Sequence, residues 1–399
     1  MNARESQLGV LEKVKESTRP MVGTRLAYVD AIRTVLIILV IMVHAAVTYG
    51  SLGDWTYEDP RQDELSAVLL SFFVIACQAF FMGLYFFLSG IFTPQSYERK
   101  GVGAFWKDRL LRLGIPMVVY TWGLAKLPNY INDIANEGLQ MSFGRYFVAR
   151  FWAEADEGPT WFIFALLVFT LGYTLWRLVT HRAQSSWVHH VPAPSMPILL
   201  MVGFVMALLT FSVAQVLPIG QMYDVFGIFS LQLQFFPTYI ILFIAGVLAY
   251  RNDWLTQLPQ KQLRFWAWFS AGLLVTLPAM LLLGGAAEDH LDEFMTGLNP
   301  RCVAMSLWLG FACIAFSMTV TLWMRSIVRP GNPFARFCAP NNYAVYLIHP
   351  LVLVPITLGL SSLSWIGLGK FALASVFTVM ICYAFANLLR KVPGMKQVL

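Results

Sequence analysis

The sequence predicts an all-α integral membrane protein with about ten transmembrane helices. Of its 399 residues, 58% are hydrophobic and only 13% are charged, and the mean hydropathy is +0.62. A soluble domain with a polar surface does not reach such values. Apolar stretches of about 18 residues or more also recur along the chain, and each is long enough to cross a hydrocarbon core of roughly 30 Å as a helix.

These stretches follow one another without a linker or a shift in composition, which predicts one transmembrane domain, residues 26–391. A cytoplasmic segment, 1–25, is expected before it and a cytoplasmic tail, 392–399, after it. The first 25 residues are polar and lack the apolar core of a cleaved signal peptide. The expected spans are 32–50, 65–93, 110–127, 159–180, 196–217, 232–250, 265–284, 302–324, 342–360 and 366–389.

Alternate loops differ in charge, and this difference predicts the orientation. Short cytoplasmic loops retain Lys and Arg, so we expect both termini in the cytoplasm and the protein in the cytoplasmic (inner) membrane. The other loops are acidic or nearly neutral, as at 54–59, 154–157 and 288–293. The formal charge of +6 follows from this topology and does not indicate a nucleic-acid partner. The basic residues of the expected cytoplasmic side are Arg19, Arg25, Arg99, Lys100, Lys107, Arg109, Arg112, Arg177, Arg182, Arg251, Lys261, Arg264, Arg325, Arg329, Arg336, Arg390, Lys391 and Lys396.

The cysteines do not predict a disulfide or a metal site. They fall in predicted spans or on the expected cytoplasmic side, where structural disulfides are rare, and they lack the spacing of metal ligands. We therefore expect neither a metal nor a bound cofactor. The five residues are Cys77, Cys302, Cys313, Cys338 and Cys382.

His44 is the main candidate for chemistry because it lies in the first apolar span. An ionisable side chain in a membrane span is costly and is usually functional. Eleven residues separate it from Arg33, a helical rise of about 16 Å, which places His44 near mid-membrane. Asp30, Arg33 and His44 are expected to share one helix face. The structural alternative is an interfacial Asp30–Arg33 pair and a core histidine hydrogen-bonded to a neighbouring helix. The functional interpretation is a general base, for which the near-neutral pKa of histidine is suited.

Two further sets of residues are candidates. Arg109 and Arg112, three positions apart in the loop after the second span, can hold phosphate oxygens with planar guanidinium groups; the alternative is a topology signal that contacts anionic lipid. His349 in the ninth span should approach the depth of His44, or it satisfies a carbonyl at the kink made by Pro350.

Taken in order, these marks resemble the acyltransferase-3 family of ten-helix membrane acyltransferases, over about residues 25–390. The matching segments are Asp30-x-x-Arg33 with His44 eleven residues later, Phe87-Leu88-Ser89-Gly90, Arg109-x-x-Arg112 before Ile115-Pro116, Trp161-Phe162, and Tyr346-Leu347-Ile348-His349-Pro350. The segments Phe86–Gly90 and Arg112–Pro116 also resemble the branch that modifies periplasmic glucans, which includes succinyl transferases.

The resemblance implies an O-acyltransferase that moves an acyl group from cytoplasmic acyl-CoA to a hydroxyl of a glycan or other envelope acceptor. Acetyl is favoured on family frequency, with succinyl as the alternative. Arg33, Arg109 and Arg112 would bind the acyl-CoA phosphates, and His44 and His349 would be catalytic, with His44 as a base or as the residue that becomes acylated.

Four residues are expected to support this site: Asp30, Ser89, Trp161 and Asn342. Stabilisation of a tetrahedral oxyanion needs preorganised donors, and His349 or Asn342 are the candidates. The expected partners are acyl-CoA, a carbohydrate or lipid-linked carbohydrate and the bilayer. The oligomeric state is left open, with a homodimer as one option.

A secondary transporter is the alternative function, because embedded His and Arg residues also relay protons or bind anions. The basic Arg109-x-x-Arg112 loop discriminates between the two. A phosphate-bearing acyl donor explains it, whereas a generic transporter does not require it.

Overall fold

The computed structural model describes residues 27–180 and 191–398, and within them ten helices are long and apolar enough to cross a membrane. The all-α class and the number of spans are confirmed. The expected N-terminal segment 1–25 and Arg182 lie outside the described residues. The ten helices are α1 Ala27–Thr48, α2 Glu64–Lys100, α3 Val102–Glu137, α4 Gly158–Thr180, α5 Met196–Ala214, α6 Leu233–Arg251, α7 Gln260–Leu283, α8 Pro300–Ile327, α9 Asn342–Leu360 and α10 Gly367–Leu389.

Helix α1 lies at the centre of the bundle. Of its most apolar 18 residues, 67% are buried, more than in the other nine helices of the described residues. It contacts α2, α8, α9 and α10. Such a helix is apolar on all sides because each face meets another helix rather than lipid. Its central place makes α1 the element through which candidate residues on other helices meet.

Helix α2 has two parts, Glu64–Gln78 and Phe81–Lys100. The second part packs closely on α6, where a Cβ atom added to Gly90 would collide with the Phe243 carbonyl and one added to Gly246 would collide with the Phe87 carbonyl. Two glycines facing each other let the helix backbones touch, as small residues do between membrane helices.

Helix α3 is longer than the sequence predicted at both ends. The expected span was 110–127, because the basic residues before it end the apolar run, yet the helix begins at Val102. Apolarity marks where a helix crosses lipid and not where the helix itself starts or stops. Two π-helical segments, Leu110–Gly114 and Tyr120–Leu124, interrupt α3, and such segments are frequent at functional sites.

The connections carry short elements. The strands β1 Tyr223–Val225 and β2 Phe229–Leu231 form an antiparallel hairpin between α5 and α6. The connection between α3 and α4 contains the short helix Phe143–Arg150. The remaining short helices that bear on the architecture are Trp254–Gln257, Leu291–Met295, Pro333–Cys338 and Met395–Val398.

Candidate functional site

Two histidines from different helices are in direct contact. Nδ1 of His44 on α1 lies 2.8 Å from Nε2 of His349 on α9. The rings are nearly parallel, at 3° and with centroids 5.0 Å apart. The sequence could place the two residues only at similar depths, whereas the structure brings them together. Because α1 begins at Ala27 and ends at Thr48, His44 lies in the last two turns of the helix rather than at its middle.

The hydrogen bonds determine which nitrogen of each neutral ring carries the proton. Nδ1 of His349 lies 2.7 Å from the carbonyl oxygen of Tyr346, which can only accept. Nδ1 of His349 must therefore donate, and its Nε2 must accept a hydrogen bond from Nδ1 of His44. This leaves Nε2 of His44 with a lone pair and, within the described residues, without a hydrogen-bond partner. An imidazole held in one tautomer with a free nitrogen is poised to accept a proton.

His349 has a partner on each ring nitrogen. Nδ1 satisfies a carbonyl in the turn before Pro350, as one interpretation of the sequence expected, and Nε2 contacts Nδ1 of His44. Neither ring nitrogen of neutral His349 is free to donate to an oxyanion, because one N–H is used and the other nitrogen accepts. The geometry gives His349 a positioning role.

The indole of Trp55 covers the other face of His44, a contact that sequence reasoning missed. The ring centroids are 3.8 Å apart and the rings are inclined by 11°. Trp55 belongs to the segment 49–63 between α1 and α2. The sequence indicates only that this segment is acidic. Stacking on an aromatic face stabilises a cation, so the contact with Trp55 stabilises the protonated form of His44.

The segment 49–63 is fixed by a buried ion pair. Nζ of Lys370 on α10 lies 3.0 Å from Oδ2 of Asp59, and both side chains are 0% exposed. The backbone N–H of Asp59 also donates to the Thr48 carbonyl at 2.9 Å. Lys370 was overlooked, although a lysine inside an apolar span signals a partner. The pair fixes the segment that carries Trp55 against two helices.

Asp63 ties the end of the same segment to α10. Its carboxylate accepts from the N–H groups of Gly367 at 2.7 Å and Ser66 at 2.9 Å. These hydrogen bonds, first that from Gly367, lower the pKa of Asp63 below its usual value. The carboxylate is therefore ionised at neutral pH and serves as a helix cap.

His44 faces a cavity of about 350 Å³, here called the histidine cavity. Trp161 at the start of α4 and Tyr346 on α9 line it together with apolar side chains. The described residues of its wall include Asp54 and Asp292 but no Lys or Arg. Pockets of this kind, apolar with a few polar groups, bind small organic ligands.

A second cavity of about 510 Å³, here called the basic cavity, lies toward the other end of α1. It contains the three arginines predicted from the sequence, Arg33, Arg109 and Arg112, and also Ser89. The wall also contains Arg390 and Lys396, which the sequence had counted only as topology signals. Among the described residues that line it, Asp108 is the one carboxylate.

The arginines of the basic cavity differ in how well they are paired. Nε of Arg112 lies 3.2 Å from Asp108. Arg109 approaches the Thr93 hydroxyl at 3.4 Å, and its guanidinium carbon lies 5.2 Å from the centre of the Phe105 ring. Nε of Arg109 is buried without a hydrogen-bond partner among the described residues. A buried guanidinium with free donors is a ready site for an anion.

Three side chains, Val40, Met82 and Tyr346, line both cavities and separate them. Val40 lies four residues before His44, so the two side chains are one above the other on one helix face. The hydroxyl of Tyr346 donates to the carbonyl of Pro159. These three side chains form a constriction between the cavities, and His44 lies one helical turn from it.

Two predicted supporting residues lie away from the histidines. Asp30 is buried near the start of α1, fourteen residues before His44. The side-chain amide of Asn342 donates to Thr34 at 3.1 Å and accepts from Tyr383 at 2.6 Å. Asn342 lies seven residues before His349, about 10 Å along α9. Its amide joins α1, α9 and α10, and the structure does not bring it to His44 as an oxyanion donor.

Comparison with known proteins identifies the family of this chain. A family described as "Acyltransferase domain", the acyltransferase-3 family, matches residues 26–387, nearly the whole chain. No curated protein and no solved structure matches the chain. With ten helices that could cross a membrane, the chain is a multi-pass membrane protein that belongs to the acyltransferase-3 family.

Proposed function

We propose that this protein transfers an acyl group from cytoplasmic acyl-CoA to a hydroxyl of a glycan or other envelope acceptor. The observation that carries the proposal is the free Nε2 of His44. It lies one helical turn from the constriction between the histidine cavity and the arginine-rich basic cavity. Family membership supports acyl transfer in a membrane. The identity of donor and acceptor is our inference from the two cavities.

The basic cavity suits the phosphates of acyl-CoA. Five basic side chains and one carboxylate line it among the described residues, so the positive charge there is in large excess. Arginine binds phosphate through paired hydrogen bonds. From Arg33 to His44 the rise along α1 is about 16 Å. The pantetheine arm is a chain of about a dozen bonds of roughly 1.3–1.5 Å each, and it covers this distance when extended.

His44 then supplies the acid–base chemistry. Nε2 takes the proton of the acceptor hydroxyl as the oxygen attacks the thioester carbonyl, the C–S bond breaks, and the imidazolium returns the proton to the departing thiolate. His349 stabilises the imidazolium by accepting the hydrogen bond from Nδ1, and Trp55 does so by stacking. The same lone pair is suited to attack the thioester itself, which breaks the C–S bond, releases the CoA thiolate and gives an acyl-histidine. The acceptor hydroxyl then attacks this acyl group, the N–acyl bond breaks, and the hydroxyl proton passes to the CoA thiolate.

The histidine cavity favours a neutral acyl group and a polyhydroxylated acceptor. Its described wall contains two aspartates and no basic residue, so the free carboxylate of a succinyl group would meet like charge there. Acetyl therefore stays the first choice and succinyl the second. Amide side chains such as Gln78 and Gln232, with Trp161, give the mixture of hydrogen-bonding and aromatic surface that sugars bind.

The experiment uses the protein in liposomes with acetyl-CoA labelled in the acetyl group. Appearance of label on an added glucan, together with release of free CoA, supports the proposal, and mass spectrometry of envelope glycans from cells with and without the protein identifies the acceptor. Passage of an anion or proton across the liposome without cleavage of acetyl-CoA would contradict it and favour the transporter.

A further inference from the structure

Two basic residues beyond the family match complete the wall of the basic cavity. The match ends at residue 387, three residues before Arg390. Arg390 follows the last residue of α10, and Lys396 belongs to the short helix Met395–Val398. Lys396 and Val398 both line the cavity. Residues of the expected tail, 392–399, therefore form part of the cavity wall.

The tail helix is held in this place by packing. It contacts the π-helical segment Leu110–Gly114 of α3, the segment that contains Arg112. Residues 390–398 and α3 thus form adjoining walls of the basic cavity. Their cations, Arg390 and Lys396 on one side and Arg109 and Arg112 on the other, line the same space.

Arg390 and Lys396 lack internal counter-charges among the described residues. Arg112 is paired with Asp108, whereas no ion pair or hydrogen bond engages the side chain of Arg390 or Lys396 among the described residues. Nε of Arg390 is moreover buried without a partner. A buried donor left unpaired costs free energy that a bound anion recovers.

We propose that Arg390 and Lys396 bind the 3′-phosphate of the acyl-CoA donor and so make the protein select CoA over its 3′-dephospho form. This inference rests on the proposed acyl-CoA donor. The 3′-phosphate is a monoester that carries a charge of about −1.5 to −2 at pH 7. It lies at the end of the donor opposite the thioester, so it must bind at the part of the cavity farthest from His44.

The order of the cations from the constriction to the mouth of the basic cavity agrees with the order of the diphosphate and the 3′-phosphate along the donor. Arg33 is placed on α1, the helix that contains His44, and suits the diphosphate to which the pantetheine arm is attached. Lys396 is exposed to solvent and thus lies at the mouth. An adenosine 3′-phosphate at the mouth, the diphosphate below it and the thioester at the constriction fill the cavity in a single orientation.

The test compares acetyl-CoA with acetyl-3′-dephospho-CoA as donors for the full-length protein in liposomes. The wild type is expected to show a KM about tenfold or more lower for acetyl-CoA, the usual effect of a charge-assisted hydrogen bond. In Arg390→Gln/Lys396→Gln this preference should disappear because the KM for acetyl-CoA rises, while the KM for the dephospho donor and kcat with both donors stay unchanged. Lys391→Gln, an exposed neighbour outside the cavity wall, should keep the full preference.

The outcomes separate this inference from the one on which it rests. Equal KM values for the two donors in the wild type would overturn the 3′-phosphate site and leave the acyl-CoA donor intact. A preference that survives in Arg390→Gln/Lys396→Gln, with the variant folded as judged by its elution and thermal unfolding, would assign the phosphate to other residues. No binding of either donor to the wild type would overturn both proposals.

Discussion

The histidine cavity and the basic cavity of this protein differ in how their polar groups are satisfied. At the histidine cavity a chain of hydrogen bonds runs from the Tyr346 carbonyl through His349 to His44, and a fully buried ion pair anchors the segment that holds Trp55 against it. At the basic cavity five cations meet one carboxylate among the described residues of the wall. The protein itself holds the two histidines of the first in one arrangement, whereas the second carries an excess of positive charge.

This difference predicts how variants will behave. Changes at a preorganised site remove interactions that act in the transition state, so they lower kcat. Changes at a site with an excess of positive charge weaken ground-state binding of an anionic donor, so they raise KM for the donor. Variants near the His44 end of α1 should therefore lower kcat, and variants near the Arg33 end should raise KM.

The largest effect is expected for His44→Ala. Loss of the base should lower kcat for acyl transfer by about 10²–10⁴-fold, with binding of acyl-CoA unchanged because the basic cavity is intact. Initial rates with labelled acetyl-CoA and donor binding by equilibrium dialysis measure the two quantities. His290→Ala is the control, since His290 pairs with Glu293 and does not line the histidine cavity. A wild-type kcat in the His44→Ala variant would show that His44 is not the general base.

Lys370→Met tests whether the histidine cavity depends on the buried ion pair. The change leaves the charge of Asp59 buried and unpaired, which typically costs about 3–5 kcal/mol of the free energy of unfolding. The double variant Asp59→Asn/Lys370→Met removes both charges and should recover most of this loss. Thermal unfolding in detergent, monitored by tryptophan fluorescence, measures the stability of the single and double variants. Equal stability of the single and double variants would show that the pair does not anchor the segment 49–63.

His349→Ala separates orientation from chemistry. Without His349 the proton of His44 is no longer confined to Nδ1, so we expect kcat to fall by about 10²-fold, at the lower end of the range for acid–base groups, with KM for the donor unchanged. His349→Gln, whose amide oxygen can accept from Nδ1 of His44, should recover part of kcat. Identical rates for the two variants would contradict the hydrogen-bond argument.

The sequence predicted the fold and part of the site for physical reasons that also explain what it missed. Apolar runs long enough to cross a bilayer identify spans, and the cost of a buried imidazole identifies His44. The stacking of Trp55 depends on the path of a connecting segment, which no periodicity encodes. Arg390 and Lys396 fitted the rule for cytoplasmic loops, so nothing in the sequence indicated that they line the basic cavity. Lys370 could have been found, because a lysine in the expected span 366–389 needs a partner as much as His44 does.

At the basic cavity, Arg109→Ala should have a larger effect than Arg112→Ala. Nε of Arg109 is buried without a partner, whereas Arg112 is half-exposed and already paired with Asp108. We expect KM for acyl-CoA to rise about tenfold for Arg109→Ala and less for Arg112→Ala, and both effects should shrink at high salt. Lys107→Ala, in the same segment but outside the cavity wall, is the control. An unchanged KM for acyl-CoA in both arginine variants would mean that this segment acts only as a membrane-topology signal.

The smallest effect concerns pH and is confined to the end of the molecule with the histidine cavity. Oε1 of Glu157 accepts from the N–H of Ser230, which lines that cavity, at 2.7 Å. Burial, together with the nearby charges of Asp156 and Asp224, raises the pKa of Glu157 from its usual 4.5 to about 7.

The sign of the pH dependence follows from the direction of this shift. Between pH 4.5 and 7 the folded protein holds the proton more tightly than the unfolded chain, so stability from this group is present below about pH 4.5 and is lost as the pH rises to about 7. The unfolding temperature should therefore fall by a few degrees between pH 5 and pH 8. Glu157→Gln should flatten the dependence of the unfolding temperature on pH in this range. Glu154→Gln, a change at an exposed neighbouring residue, should leave that dependence as it is. Because Glu157 does not line the basic cavity, KM for acyl-CoA should stay constant across the same pH range. A parallel change in KM would show that the two cavities are coupled.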